Sequence, residues 1–149
     1  MMKSNKIRMV VSILMILTVI FAVVHFQTRE KVPKNALQIT TDEKTYMVDI
    51  TKLAYEPVTG ERVNGKGETL QVNGQGILLK EILNQKDIVE FSKVTIVADD
   101  AYQVEVTQEE IKEDAKVYLL YEDDSLRLIV FGDKDSKRSV SNVVQIVVE

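Results

Sequence analysis

Much of the chain alternates between apolar and polar residues with a period of two, the spacing typical of half-buried β-strands. The alternating apolar positions are Tyr46, Val48, Ile50, Val94, Ile96, Ala98, Val104 and Val106. Residues 117–121, 126–131 and 143–148 are also rich in β-forming residues. Turn residues separate these runs, at Thr59-Gly60, Asn64-Gly65, 73–76, Asp99-Asp100, 122–125 and Gly132-Asp133. The pattern predicts a mostly β domain, built as a sandwich or a partly open barrel.

Two segments have the pattern of short helices instead. Residues 76–85 place the apolar side chains of Leu78, Leu79, Ile82 and Leu83 on one face of a helix. Thr107 and Glu110 have the spacing of a capping box, which predicts a single helical turn that ends near Asp114. The prediction for residues 37–149 is therefore an α+β domain, mostly strand with two short helices.

The N-terminal part of the chain differs from the rest. Met9–Phe26 is 18 residues long, almost entirely apolar, and free of formal charge. As a helix it would extend roughly 27 Å, close to the hydrocarbon thickness of a bilayer. The run is longer than the core of most signal peptides and lacks a small-residue cleavage pattern. We therefore expect one transmembrane signal-anchor over residues 9–28, which would bind the lipid bilayer.

The flanks of this segment give the expected orientation. Lys3, Lys6 and Arg8 precede it, and a short tail with these charges inside the cell is the simplest arrangement. Residues 1–8 are then a cytoplasmic tail, residues 29–36 a linker, and residues 37–149 an extracytoplasmic domain of a single-pass protein in the cell membrane.

Composition excludes several kinds of chemistry. The chain has no cysteine, which excludes disulfides, a cysteine nucleophile and a thiolate metal site. A single histidine excludes a multi-histidine zinc site. All 23 acidic residues follow residue 28, together with 16 of the 19 basic residues, so this part carries a net charge of −7. Such a domain repels phosphate backbones, and we expect no nucleic-acid partner.

Clusters of acidic residues at the predicted turns allow two interpretations. Asp99, Asp100, Asp123 and Asp124 could supply oxygen ligands to a calcium ion, although none of these clusters has the ligand spacing of a known calcium loop. Aspartate is also a common turn residue, because its side chain bonds the backbone two residues on. The turn interpretation is the preferred one, and we predict no metal site.

The order of motifs resembles one known family. Residues 66–83 read as a strand, a glycine turn and a helix of the form G-[IV]-x-L-x-x-[IL]-L. Residues 94–102 follow as a strand that ends in Asp99-Asp100-Ala101-Tyr102, and residues 106–111 as an acidic helical turn. Two strands and a basic segment at 137–138 complete the order. This order resembles the oxidoreductase molybdopterin-binding domain, the fold of sulfite oxidase, over most of residues 49–149.

The resemblance implies a fold and a set of candidate residues, and the sequence departs from it at the catalytic centre. Enzymes of this family ligate molybdenum with a cysteine thiolate, which this chain lacks. Ala101 stands where the family has glycine, and Ser139 where an aromatic residue often follows the late arginine. If a pterin were bound, the candidate cofactor-binding residues would be Lys66, Tyr102, Arg127, Lys137 and Arg138. We expect no cofactor, and molybdopterin is implied by the resemblance alone.

The sequence therefore leaves three functions open. The first is a membrane-anchored, non-catalytic module that binds a ligand or a partner through the loops around 99–102 and 122–125. The second is a pterin-binding oxidoreductase subunit of a membrane redox system, whose partner would be an exported or membrane redox protein. The third is a calcium-dependent adhesion or assembly module.

Overall fold

The structure is a computed structural model that describes Val11, residues 13–20 and residues 32–149. The chain divides into two compact units, Met1–Lys31 and Val32–Glu149. In the first unit, Val11 and residues 13–20 are helical, and their side chains are exposed.

The prediction of a transmembrane helix in front of the domain is wrong for the residues that the structure describes. None of their helices is both long and apolar enough to cross a membrane. The rest of the predicted span 9–28, the predicted tail 1–8 and residues 29–31 of the predicted linker lie outside the described residues.

The second unit is mostly β and contains nine strands in two sheets. The strands are β1 Ala36–Thr40, β2 Thr45–Asp49, β3 Glu56–Val63, β4 Thr69–Leu78, β5 Lys93–Ala98, β6 Gln103–Thr107, β7 Val117–Glu122, β8 Ser125–Val130 and β9 Val143–Val148. One sheet has five strands in the order β2-β1-β9-β5-β6, and the other has four in the order β3-β4-β7-β8. The β1–β9 pair is parallel, and every other strand pair is antiparallel.

Three short helical segments connect the strands. A 3-10 turn covers Ile50–Lys52, α1 covers Leu79–Asn84 and α2 covers Gln108–Lys112. Helix α1 begins later than predicted, because residues 76–78 pair with β7 as the end of β4. The capping box at the start of α2 is present as predicted, with Thr107 accepting from the backbone N–H of Glu110.

The two sheets pack face to face around the main core. Its fully buried side chains include Leu37, Ile39 and Ile96 from the five-stranded sheet, and Leu119 and Leu128 from the other. Strands β7 and β8 are also buried on their second face. There Leu120 and Ile129 pack with Val58 and Val72, and the rings of Tyr118 and Phe131 lie at the edge of this second cluster.

The second cluster shows that the long β3–β4 hairpin folds over the outer face of β7 and β8. Glycine makes this close approach possible at two positions. A Cβ added to Gly60 would lie 2.5 Å from Cε1 of Phe131, and one added to Gly76 would lie 2.6 Å from Cδ2 of Leu120. The predicted turns at Gly60 and at residues 73–76 are therefore wrong. These glycines lie inside β3 and β4, where another element approaches the backbone.

Candidate functional site

The turn between β5 and β6 displays an exposed aromatic side chain on a rigid backbone. The backbone N–H of Ala98 donates to the carbonyl of Tyr102 at 2.9 Å, and that of Tyr102 donates to the Asp100 carboxylate at 2.9 Å. Ala101 adopts a left-handed conformation with φ of 70°. This is the position at which the family pattern has glycine, which accepts such a φ without steric cost. The turn leaves Tyr102 49% exposed.

This turn is tied to the connecting segment, residues 131–142, which joins β8 to β9. The hydroxyl of Tyr102 donates to the carbonyl of Lys137 at 2.9 Å. The backbone N–H of Asp99 donates to the carbonyl of Asn142 at 3.0 Å. Tyr102 is thus fixed both at its backbone and at the far end of its ring, and it has little rotamer freedom left.

Arg138 holds the connecting segment in place through two carboxylates. Its Nε and Nη2 donate to the two oxygens of Asp133, at 2.9 and 2.5 Å, and its Nη1 lies 2.9 Å from the carboxylate of Glu110. The bidentate geometry is the strongest arrangement for an arginine–carboxylate pair. Glu110 also accepts from the backbone N–H of Thr107 within the capping box. Arg138 therefore joins the connecting segment to the start of α2.

The charges in this network shift the pKa values of Glu110 and Arg138. Burial raises the pKa of Glu110, but the Thr107 backbone N–H and the Arg138 guanidinium stabilise the carboxylate, and the pKa is lowered overall. The hydrogen bond to Asp133 raises the pKa of Arg138, and Glu110 raises it further, against the opposing effect of burial. The Glu110 carboxylate and the Arg138 guanidinium therefore favour their charged forms.

The tip of the β3–β4 hairpin lies beside the same segment. A Cβ built on Gly65 would lie 3.8 Å from Oγ of Ser136. Asn64 shapes this tip, because its side-chain oxygen accepts from the backbone N–H groups of Lys66 and Glu68. Lys66 itself is exposed. We call the turn Asp99–Tyr102, residues 133–138 and the turn 64–67 the loop surface.

Four of the five candidate cofactor-binding residues lie on the loop surface, namely Lys66, Tyr102, Lys137 and Arg138. Tyr102 bonds the carbonyl of Lys137, which Arg138 follows in the chain, and the turn that holds Lys66 lies beside Ser136. Arg127 lies elsewhere, near the start of β8, where its Nε donates to Glu122 at 2.7 Å. Lys137 is 83% exposed at its side chain, and its ammonium lies 3.6 Å from Asp135. The guanidinium of Arg138 is already paired with Asp133 and Glu110, so its role at this position is to stabilise the fold.

The four candidate aspartates lie in two separate turns and act there as turn residues. Asp100 caps the turn before Tyr102. Asp123 and Asp124 occupy the left-handed region, with φ of 49° and 59°, and Asp124 accepts from the hydroxyl of Tyr121. In the described part of the chain, no group of three or more histidine, aspartate or glutamate side chains could hold a metal ion. The whole sequence has no cysteine.

Sequence reasoning did not assign Asp133 or Glu110 to this site. The sequence pattern identified Glu110 as a capping residue and Asp133 as a turn residue. Neither pattern predicted that both residues contact Arg138. Comparison with protein-family models gives no match for this chain, and comparison with curated proteins gives none either. The resemblance to the oxidoreductase molybdopterin-binding domain stays a prediction that these comparisons do not test.

Proposed function

We propose that residues 32–149 form a non-catalytic binding module that recognises a partner protein through the loop surface. The observation that carries this proposal is the state of Tyr102, half exposed and yet held at its backbone, its carbonyl and its hydroxyl. Aromatic side chains of this kind are enriched among the residues that contribute most to protein interfaces. A side chain ordered before binding loses little entropy when the partner arrives.

Acidic and basic residues both lie near Tyr102, so we expect the complementary surface of the partner to be polar and of mixed charge. Asp99 and Asp100 precede Tyr102 in the same turn, and the Tyr102 hydroxyl bonds the connecting segment, which carries Lys134 and Lys137. Such a rim contributes more to orientation and association rate than to affinity. By the family resemblance alone, the partner would be an exported or membrane redox protein.

Pterin binding is the second candidate, and one observation favours it. The structure brings the Lys66 turn next to the segment that carries Lys137, as convergence on a phosphate would require. Two features oppose it. The chain has no thiolate for molybdenum, and the Arg138 guanidinium is already engaged by Asp133 and Glu110. The residues present therefore do not fit a molybdenum centre ligated by a protein cysteine. No contact among the described residues favours a calcium-dependent role.

Photo-crosslinking in the native cell tests the proposal. A photoreactive residue is placed at position 102 in the full-length chain, and at position 89 in a control, since Val89 is also exposed, at 56%, but lies outside the loop surface. We expect one protein to crosslink from position 102 and not from position 89. Equal crosslinking from both positions would overturn the proposal.

Binding by the purified chain supplies the second half of the test. Tyr102→Ala should weaken binding of the recovered partner by about tenfold or more, the effect of losing one interface anchor. Tyr102→Phe keeps the ring and loses only the hydrogen bond to Lys137, so its effect should be smaller. An unchanged affinity for Tyr102→Ala contradicts the proposal, and a stoichiometric pterin in the purified protein would favour the second candidate.

A further inference from the structure

The five-stranded sheet ends in a strand whose outer backbone edge is uncovered among the described residues. Strand β2 pairs with β1 on one side. Within residues 32–149, its backbone N–H and carbonyl groups make no hydrogen bond on the other side. Its central side chain, Met47, is 50% exposed. A free edge of this kind is a template for the addition of another strand.

The other sheet edges carry features that disfavour such pairing. Strand β3 contains Pro57, and its end packs against the connecting segment. Strand β8 is bonded at Leu128 by Val140 of that segment. Strand β6 has no exposed large apolar side chain, and its Glu105 is paired with Lys93. Strand β2 reads Thr-Tyr-Met-Val-Asp, without proline, lysine or bulge, the devices that natural edges use against pairing.

The charges at the two ends of β2 complement each other. The turn before it holds Asp42, Glu43 and Lys44, with a net charge of −1. At its far end, Asp49 is accompanied by Lys52 at 3.3 Å and by Lys34 across a shallow depression, with a net charge of +1. Antiparallel pairing of two copies places each acidic end beside the basic end of the other. Parallel pairing would place like charges together.

We propose that β2 is a self-association edge, on which a second copy of this chain adds its own β2 in antiparallel orientation. A two-fold axis at Met47 pairs the five-residue strands along their whole length, with Met47 opposite Met47 of the second copy and Thr45 opposite Asp49. The result is a continuous ten-stranded sheet across two copies. The interface is short, so the association is weak and depends on concentration. It uses no residue of the loop surface and is independent of the proposed function.

Disulfide crosslinking of the full-length chain tests both the edge and the register. Because the chain has no cysteine, Met47→Cys introduces its only thiol. Directly opposite residues in an antiparallel pair lie about 4.5–5.5 Å apart between Cα atoms, within the range of a disulfide. Thr45→Cys is the matched control, since its thiol lies on the same face but roughly 14 Å along the strand from its counterpart. We expect Met47→Cys to form the intermolecular disulfide at least about tenfold faster.

Charge-reversal variants of Met47→Cys show whether the disulfide forms through the proposed strand pairing or through random collision of two copies. Lys52→Glu should slow crosslinking about threefold, the effect of a rim ion pair, and the addition of Asp42→Lys should restore the rate. Both substitutions are at exposed positions. Equal crosslinking rates for Met47→Cys and Thr45→Cys would overturn the proposal. So would the absence of crosslinking up to millimolar protein, or a rate that Lys52→Glu leaves unchanged.

Discussion

Arg138 binds two carboxylates that come from different parts of the chain, and Arg138→Gln removes the cation that they share. The side chains of Arg138, Asp133 and Glu110 are 27%, 19% and 21% exposed. Glutamine is shorter, carries no charge, and cannot supply the bidentate fork that Asp133 accepts. The variant therefore leaves two part-buried carboxylates without their common partner.

The expected loss of stability lies between two limits. An exposed ion pair contributes roughly 0–1 kcal/mol, because water screens it. Removing one partner of a fully buried pair costs roughly 3–5 kcal/mol, because the other charge stays buried alone. The Arg138 network is about four-fifths buried and has two acceptors, and we expect the free energy of unfolding to fall by about 2 kcal/mol.

Urea denaturation followed by far-UV circular dichroism measures this loss, since the chain has no tryptophan for fluorescence. Arg127→Gln is the matched control. Its guanidinium has a single carboxylate partner, Glu122, whose side chain is 42% exposed, so its loss should cost below about 1 kcal/mol. The reasoning is refuted if Arg138→Gln costs no more than Arg127→Gln.

The same comparison has an expected dependence on pH. The pKa of Glu110 is lower in the folded protein than its ordinary value of 4.5. The stabilisation that this shift represents is fully present above that value and is lost as the pH falls through the lower, folded pKa. The stability difference between wild type and Arg138→Gln should therefore be constant above about pH 5 and should shrink below pH 4.5. A difference that grows with acidification would contradict the assignment of the Glu110 contact.

Two further substitutions test the packing and the capping, with the same urea titration. Gly60→Ala should destabilise the domain by about 1–3 kcal/mol, because the new methyl group overlaps the ring of Phe131; Gly74→Ala, with no atom within 4 Å of its Cβ, is the control and should stay close to wild type. Thr107→Ala should cost about 1 kcal/mol by removing the cap on Glu110, whereas Thr107→Ser should retain most of it. Equal stabilities within either pair would refute the corresponding explanation.

The period-two pattern predicts strands well where one or both faces of a strand are buried locally. It fails at the glycines of β3 and β4, because a glycine in a turn and a glycine under a packed ring look the same in sequence. Gly60 lies under Phe131, which is 71 residues further along the chain, and Gly76 lies against Leu120. No local signal contains these contacts. The short strand β1 was not predicted for the same reason, since its pairing with β9 joins the two ends of the domain.

The candidate site shows the same division between local and distant contacts. The capping box joins residues three apart, and its spacing predicted it. The bond from Tyr102 to Lys137 joins residues 35 apart, and that from Arg138 to Glu110 joins residues 28 apart. A single sequence shows that residues of the right chemical type are present, but only the folded structure shows which of them are in contact. Arg127 has the chemistry of a phosphate ligand and is still placed away from the loop surface.

Burial of β7 and β8 on both faces explains why the loop surface exists where it does. A sandwich needs only one buried face on each of its sheets, and the second cluster of Val58, Val72, Leu120 and Ile129 is additional. This cluster fixes the long hairpin across the outer face of β8, and so places the tip of the hairpin beside Ser136. The connecting segment therefore lies beside the hairpin tip at Ser136 and is bonded to the Tyr102 turn at Lys137. Packing of the hairpin therefore sets the path of the connecting segment, and the ion pairs of Arg138 stabilise that path. The arrangement of the loop surface depends on this packing as much as on its ion pairs.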